Sequence, residues 1–278
     1  MSQFTEIAYA KINLALHIRR KRSDGYHDLE TIFAFLDGGD RLAAESADKL
    51  TLQISGPFAQ GLSASDNLVV DAANLLRSHC GVQGGVKLTL IKNLPIASGI
   101  GGGSADAAAT LRILNRLWGC GLPVDELANM AAPLGADIPA CVYSQTMIGG
   151  GTGVNLRRPG NSNVKGLPVL LINPLQEIST ADIFARWSGQ DDGPIAGGDA
   201  MKAALGGRNG LEISAIGLCP VISDILSVLE KTGPLLRRMS GSGATCFAIY
   251  ESATLRDDAV SKLARHHPEW WAMPGLLR

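Results

Sequence analysis

Four glycines fall within the five residues from Gly99 to Gly103, and the chain runs from them directly into an apolar-periodic stretch, Ser104 to Trp118. In that stretch Ala107, Ala108, Leu111, Leu114 and Leu117 recur at helical spacing, and Gly119 is a natural stop. A glycine run that opens a helix lets backbone N–H groups converge on an anion without interference from a Cβ. The first helical turn adds unpaired donors and roughly +0.5 of a charge from the helix dipole. Phosphate binding is the expected use, with Ser104 either capping the helix or offering its hydroxyl to a phosphate or to Mg²⁺. The alternative use is a flexible hinge. No Gly-Lys-Ser/Thr follows, so the loop is not a Walker motif, and no G-x-G-x-x-G occurs anywhere in the chain.

The remaining pattern mixes strands and helices in both halves, which points to an α+β, two-layer arrangement. Strands are expected at residues 7–16, 29–35, 50–54, 86–90, 168–172 and 245–250. Helices are expected over 67–77 with Asn67 as cap, from about 123 to 135, over 180–187 and over 220–231. The run Gly149–Gly153 and the Pro/Asn/Ser segment at 159–163 change the composition. A domain boundary is placed there, giving an N-terminal domain at 1–155 and a C-terminal domain at 156–278. The Gly/Asp-rich segment 188–198 reads as a mobile loop.

Composition narrows the function by exclusion. A formal net charge of −1 over 278 residues does not suit a general polyanion binder, and 5% aromatic residues does not suit base stacking on nucleic acid. The basic run Arg19-Arg20-Lys21-Arg22 is followed at once by Asp24, Asp28 and Glu30. It reads as a solvated loop, or as a local positive edge for a phosphorylated substrate. Five dispersed cysteines without a C-x-x-C pair suit a reducing compartment. The start, Met-Ser-Gln-Phe-Thr-Glu, lacks a leader pattern, and no apolar stretch approaches the roughly 20 residues of a membrane span. A cytoplasmic protein is expected, a monomer or weak homodimer without a nucleic-acid or membrane partner.

Three stretches, in order, carry a resemblance. Pro95-Ile96-Ala97-Ser98-Gly99-Ile100-Gly101-Gly102-Gly103-Ser104-Ala105-Asp106-Ala107-Ala108 resembles the nucleotide loop of the GHMP kinases. Ala8-Tyr9-Ala10-Lys11-Ile12-Asn13-Leu14 resembles their first motif. Arg238-Met239-Ser240-Gly241-Ser242-Gly243-Ala244-Thr245-Cys246-Phe247 resembles their third. Within the family, Asp24-Gly25-Tyr26-His27-Asp28-Leu29 and Gly135-Ala136-Asp137-Ile138-Pro139 are similar to the branch that acts on a cytidine diphosphate derivative of methylerythritol.

The resemblance implies two two-layer domains flanking a central cleft, with ATP and Mg²⁺ as cofactors and that cytidine diphosphate compound as acceptor. It places ATP on Pro95, Ala97, Ser98, Gly99, Ile100, Gly101, Gly102, Gly103 and Ser104, with Ser104 also toward the metal. It places the acceptor on Asn13, Tyr26, His27, Asp137, Thr180, Phe184, Gly241 and Ser242. Asp137 would be the catalytic base, and Lys11 would keep it ionised and stabilise charge on the transferring group. Three departures stand out: Ala105-Asp106 replace a commoner Ser-Asn, Ala181 stands where Pro is common, and Asn209-Gly210-Leu211-Glu212 follows the family only in part, so it receives no site role. The rival readings are a GHMP kinase for another small alcohol, of the homoserine or mevalonate type, and a non-catalytic binding protein that keeps the fold.

Overall fold

The computed structural model describes residues 3–278; Met1 and Ser2, part of the N-terminal segment read above, lie outside the described residues. Its elements, in chain order, begin with two long strands, β1 (Phe4–Lys21) and β2 (His27–Ala47), followed by β3 (Thr51–Ser55), α1 (Leu68–Cys80), β4 (Gly85–Ile91) and α2 (Gly102–Leu117). Then come α3 (Val124–Ala131) with a 3₁₀ turn at Ala132–Leu134, α4 (Ile138–Tyr143), β5 (Met147–Gly151), β6 (Asn155–Arg157), β7 (Pro168–Asn173) and α5 (Thr180–Ala185). The chain closes with α6 (Ala200–Gly206), α7 (Glu212–Leu218), α8 (Val221–Glu230), β8 (Leu236–Met239), β9 (Cys246–Ile249), α9 (Ala253–His266) and β10 (Trp271–Leu276).

The chain forms two compact units. Among the described residues, one consists of 3–10, Gly38–Ile96 and Gly101–Ser144; the other of Lys11–Asp37, Ala97–Ile100 and Gln145–Arg278. In the first unit the far half of β2 pairs antiparallel with β4, from Arg41 opposite Ile91 to Ala47 opposite Gly85, and β3 lies parallel to β4. Alternation along β4 buries Val86, Leu88 and Leu90. In the same unit α1 packs on α2, and α2 and α3 pack on α4. Asn67 caps α1 as the sequence predicts, its Oδ1 accepting from the Val69 N–H at 3.0 Å. The buried stripe of α2 contains Ala107, Ala108, Leu111 and Leu114, the residues whose spacing predicts the helix.

In the second unit the near half of β2 pairs antiparallel with β5, from Leu29 opposite Gly151 to Phe33 opposite Met147. A separate antiparallel sheet runs β10-β7-β9-β8. All six residues of β7 are buried, which fits an apolar run at the centre of a covered sheet. Helix α8 packs on β8 and β9, and α9 packs on β7 and β10. Their core joins Leu170 and Ile172 to Ile222, Ile225, Leu229, Ala248 and Leu263.

Two expectations change. The basic run is strand rather than loop as far as Lys21, but Arg20, Lys21 and Arg22 remain exposed as the solvated reading expects, with carboxylates pairing the arginines. Arg19 pairs with Glu30 and Asp191, Arg20 with Asp28, and Arg22 with Asp24 and Asp28. Nor is 188–198 untethered. Asp192 accepts from the Ile18 N–H at 2.8 Å and from Arg208 Nε at 2.6 Å, and the Ile195 N–H donates to Glu30 Oε2 at 2.9 Å. Sequence composition reports the polarity of such a segment but not the partners that hold it.

Candidate active site

In the second unit, β1 brings Lys11 and Asn13 to one buried face, both almost wholly covered. Lys11 Nζ donates to Asn13 Oδ1 at 3.0 Å and also lies 5.6 Å from the centre of the Phe33 ring. The Asn13 Nδ2 group donates to Thr31 Oγ1 at 2.7 Å. The loop that resembles the third motif meets the same residues: the Asn13 N–H donates to Ser240 Oγ at 3.2 Å, and Ser240 Oγ donates to the Gly99 carbonyl at 2.9 Å. Lys11 N–H donates to the Ile100 carbonyl at 2.9 Å, and Thr245 N–H to the Ser98 carbonyl at 3.2 Å. Residues 97–100 are therefore held by backbone as well as side-chain bonds. Gly99 has φ +76°, and a Cβ there would lie 2.4 Å from the Ser240 carbonyl oxygen, so only glycine fits.

Arg238 supports this face from below. Its guanidinium is buried and donates to the carbonyls of Leu14, Ala204 (2.9 Å) and Gly207 (2.6 Å). Burial pushes its pKa down to about 10, with Glu212 pulling the other way. Asn209, which received no site role above, donates from Nδ2 to the carbonyls of both Met239 and Gly241 at 2.8 Å. Ser242 Oγ is 2.8 Å from Thr180 Oγ1, so two of the expected acceptor-binding hydroxyls do meet.

His27 and Phe184 also meet. Their ring centres are 4.9 Å apart, and Trp187 stands edge-on to His27 at 5.4 Å. His27 Nε2 is buried and has no hydrogen-bond partner, while burial first and Lys21 second lower the imidazole pKa. Tyr26 stays outside this cluster, 68% exposed.

In the first unit, Gly101 takes a left-handed conformation, φ 67°, and α2 starts at Gly102. Ser104 therefore lies inside the first turn and is not the cap: the cap position falls to Gly101, because a left-handed turn precedes the helix. Its hydroxyl remains at the end where N–H groups lack intrahelical partners. Beneath Gly102 sits a buried cluster. Lys92 donates to Asp40 and, at 2.6 Å, to Asp106 Oδ2. Asp40 also accepts from the N–H groups of Asn93 at 2.5 Å and Leu94 at 2.8 Å. Asp106 Oδ1 has no hydrogen-bond partner; burial pushes its pKa up to about 7, against the pull of Lys92 and with a further push from Asp40. The half-buried Asp137 occupies the N-cap position of α4, immediately before Ile138 and Pro139. Buried Pro95 and exposed Ala97, the latter with φ 49°, complete the expected nucleotide segment.

Sequence reasoning missed Thr31, Ser240, Arg238, Asn209, Trp187 and the Asp40–Lys92 pair. Ser240 and Arg238 lie within the third glycine stretch and could have been read from it. Thr31 gives no local signal, being one position on an ordinary strand.

Comparison with known proteins decides the family. Residues 67–145 match the GHMP kinases N terminal domain, and residues 197–269 match the GHMP kinases C terminal domain. The 4-diphosphocytidyl-2-C-methyl-D-erythritol kinase of Sphingopyxis alaskensis is 50% identical over 277 residues, spanning 98% of each chain. That of Erythrobacter litoralis is 48% identical over 279 residues, spanning 99% of each.

The chain belongs to the GHMP kinase family.

Among solved structures, a 4-(cytidine 5'-diphospho)-2C-methyl-D-erythritol kinase superposes with a TM-score of 0.82 at 30% identity over 99% of both chains. A homoserine kinase from Cytophaga hutchinsonii superposes at 0.76 with 16% identity, over 100% of this chain and 95% of its own, and so shares the fold. As a GHMP kinase the chain is an enzyme that uses ATP and a small-molecule acceptor. No described helix is long and apolar enough to cross a membrane.

Proposed function

We propose that this GHMP kinase transfers the γ-phosphoryl group of ATP to the 2-hydroxyl of 4-diphosphocytidyl-2-C-methyl-D-erythritol, a step in the non-mevalonate route to isoprenoid precursors. The observation that carries this reading is His27: a buried imidazole packed against Phe184 and Trp187, with Nε2 unpartnered, suits a flat polar base such as cytosine. Full-length identity to kinases of that name supports it.

The residues take roles that their chemistry suits. Tyr26, His27, Thr180, Phe184, Gly241, Ser242 and Asn13 bind the acceptor. Pro95, Ala97, Ser98, Gly99, Ile100, Gly101, Gly102, Gly103 and Ser104 hold ATP, its phosphates facing N–H donors at the start of α2. Asp137 accepts the proton of the attacking hydroxyl, late in a loose transition state. Lys11, its ammonium oriented by Asn13, stabilises charge on the transferring group. Among the described residues no group of three or more His, Cys, Asp or Glu side chains forms a metal site. Ser104, in the first turn of α2, would be the protein ligand of a Mg²⁺ ion brought in with ATP. Bound there, the ion would neutralise phosphate charge.

Matches at 67–145 and 197–269 fall on either side of residue 155, which supports reading 1–155 and 156–278 as the family's two domains. Five free cysteines support a reducing, cytoplasmic setting.

An ADP-release assay with Mg-ATP and the cytidine diphosphate acceptor tests the reading, on wild type and Asp137→Ala. Turnover that needs the acceptor and falls at least about a hundredfold in the folded variant is expected. Turnover only with homoserine or mevalonate would move the substrate, and turnover that survives the substitution would remove Asp137 as base.

A further inference from the structure

Thr31 has a single hydroxyl proton and two close neighbours. Its Oγ1 lies 2.7 Å from the Ala15 carbonyl oxygen and 2.7 Å from Asn13 Nδ2. A carbonyl only accepts, so the hydroxyl proton is committed to Ala15. The hydroxyl oxygen must then accept, and only the amide nitrogen of Asn13 can face it. That turns Asn13 Oδ1 the other way, toward Lys11 Nζ at 3.0 Å. The ammonium donates and never accepts, so it requires the same orientation from the opposite end. Thr31, Asn13 and Lys11 are all nearly inaccessible, so water cannot replace a lost partner easily. The neighbouring hydroxyl follows the same logic: Ser240 commits its proton to Gly99 and accepts from the Asn13 N–H. The backbone N–H and the side-chain NH₂ of Asn13 thus each donate to a hydroxyl whose own proton is already spent.

We infer that Thr31 is a positioning residue for phosphoryl transfer: through a directional chain from Ala15 to Thr31 to Asn13, it fixes an acceptor that helps to aim the Lys11 ammonium. This rests on the reading of Lys11 as the charge-stabilising cation. Thr31 touches neither reactant in this scheme and acts on kcat, because a misaimed ammonium weakens transition-state stabilisation more than it weakens binding. Valine at 31 keeps the shape and removes the hydroxyl. Asn13 then loses one of the two bonds that fix its amide, its buried NH₂ is left without an acceptor, and the side chain can shift the Oδ1 that faces Lys11.

Steady-state kinetics on wild type, Thr31→Val and Thr31→Ser test this, with KM measured for ATP and for the cytidine diphosphate acceptor. Thr31→Val is expected to lower kcat roughly 10- to 100-fold, while KM for ATP stays within about threefold. Thr31→Ser, which restores the hydroxyl, is expected to recover kcat to within about threefold of wild type. A Thr31→Val enzyme within about twofold of wild type overturns the inference, as does a serine variant as impaired as the valine one. Side-chain amide exchange of Asn13, followed by NMR on ¹⁵N-labelled protein, needs no substrate and separates the inference from the functional reading. Protected amide protons in wild type and Thr31→Ser support the chain even if the acceptor is wrong. Unprotected protons in both overturn it, even if Thr31→Val fails to fold.

Discussion

The side-chain amide of Asn209 donates to the carbonyl of Gly241 at 2.8 Å, and through its second proton to Met239 at the same distance. Its Oδ1 accepts from the Leu211 N–H at 2.9 Å, so every polar atom of this buried side chain is engaged. Asn209→Ala strands two loop carbonyls and an N–H. The expected cost is about 2–4 kcal/mol of stability, read from urea unfolding, with a higher KM for the acceptor because Gly241 and Ser242 lose their support. A variant as stable as wild type would show that water replaces the amide.

Glycines of the nucleotide segment differ in what they permit. A Cβ at Gly99 would strike the Ser240 and Gly243 backbone, whereas at Gly103 its nearest neighbour is Leu68 Cδ1 at 3.7 Å. Gly99→Ala is expected to raise KM for ATP at least about tenfold or to prevent folding. Gly103→Ala is expected to fold normally, with helix propensity gained by up to about 1 kcal/mol. ATP titrations and thermal melts of the pair decide it; equal behaviour would contradict the clash.

The buried cluster beneath α2 depends on its single cation. Lys92→Met leaves Asp40 and Asp106 facing each other without an ammonium, at an expected cost of about 3–5 kcal/mol. Asp106→Asn keeps the shape and an acceptor for Lys92, and is expected to stay within about 1 kcal/mol of wild type. Urea midpoints at one pH compare the two, and similar losses would sink the asymmetry.

His27 makes stability depend on pH. Its pKa in the folded protein lies below the ordinary value of about 6.5, chiefly through burial. Between those two values the unfolded chain holds the extra proton, so stability rises with pH there. The His27 contribution is complete above about pH 6.5 and is lost as pH falls toward the folded value. Urea midpoints at pH 7.5 and 5.5 should therefore converge in His27→Phe relative to wild type; an unchanged gap would assign the effect to other groups.

Glycine runs and apolar periodicity made much of this legible. Both sides of the α2 junction, the cap at Asn67 and the third loop follow from local chemistry, because each is a property of adjacent residues. What escaped depends on partners remote in sequence. Thr31 and Asn13 are 18 positions apart, Ser240 and Asn13 are 227 apart, and neither spacing leaves a trace in composition. Strand lengths escaped for a related reason. Residues 7–16 and 29–35 read as two short strands, yet β1 and β2 extend to 18 and 21 residues. Charges such as those of Arg19 and Arg20 continue the strand once carboxylates meet them.

The long strand β2 also has a consequence for synthesis on the ribosome. Leu29 pairs with Gly151, about 120 residues later in the chain. At translation rates of about 5–20 residues per second, the near half of β2 emerges several seconds or more before its β5 partner exists. Its Ile32, Phe33, Ala34, Phe35 and Leu36, all buried in the finished protein, spend that interval as a nascent hydrophobic segment. The growing chain is thus most prone to non-native apolar contacts between the emergence of β2 and the emergence of β5.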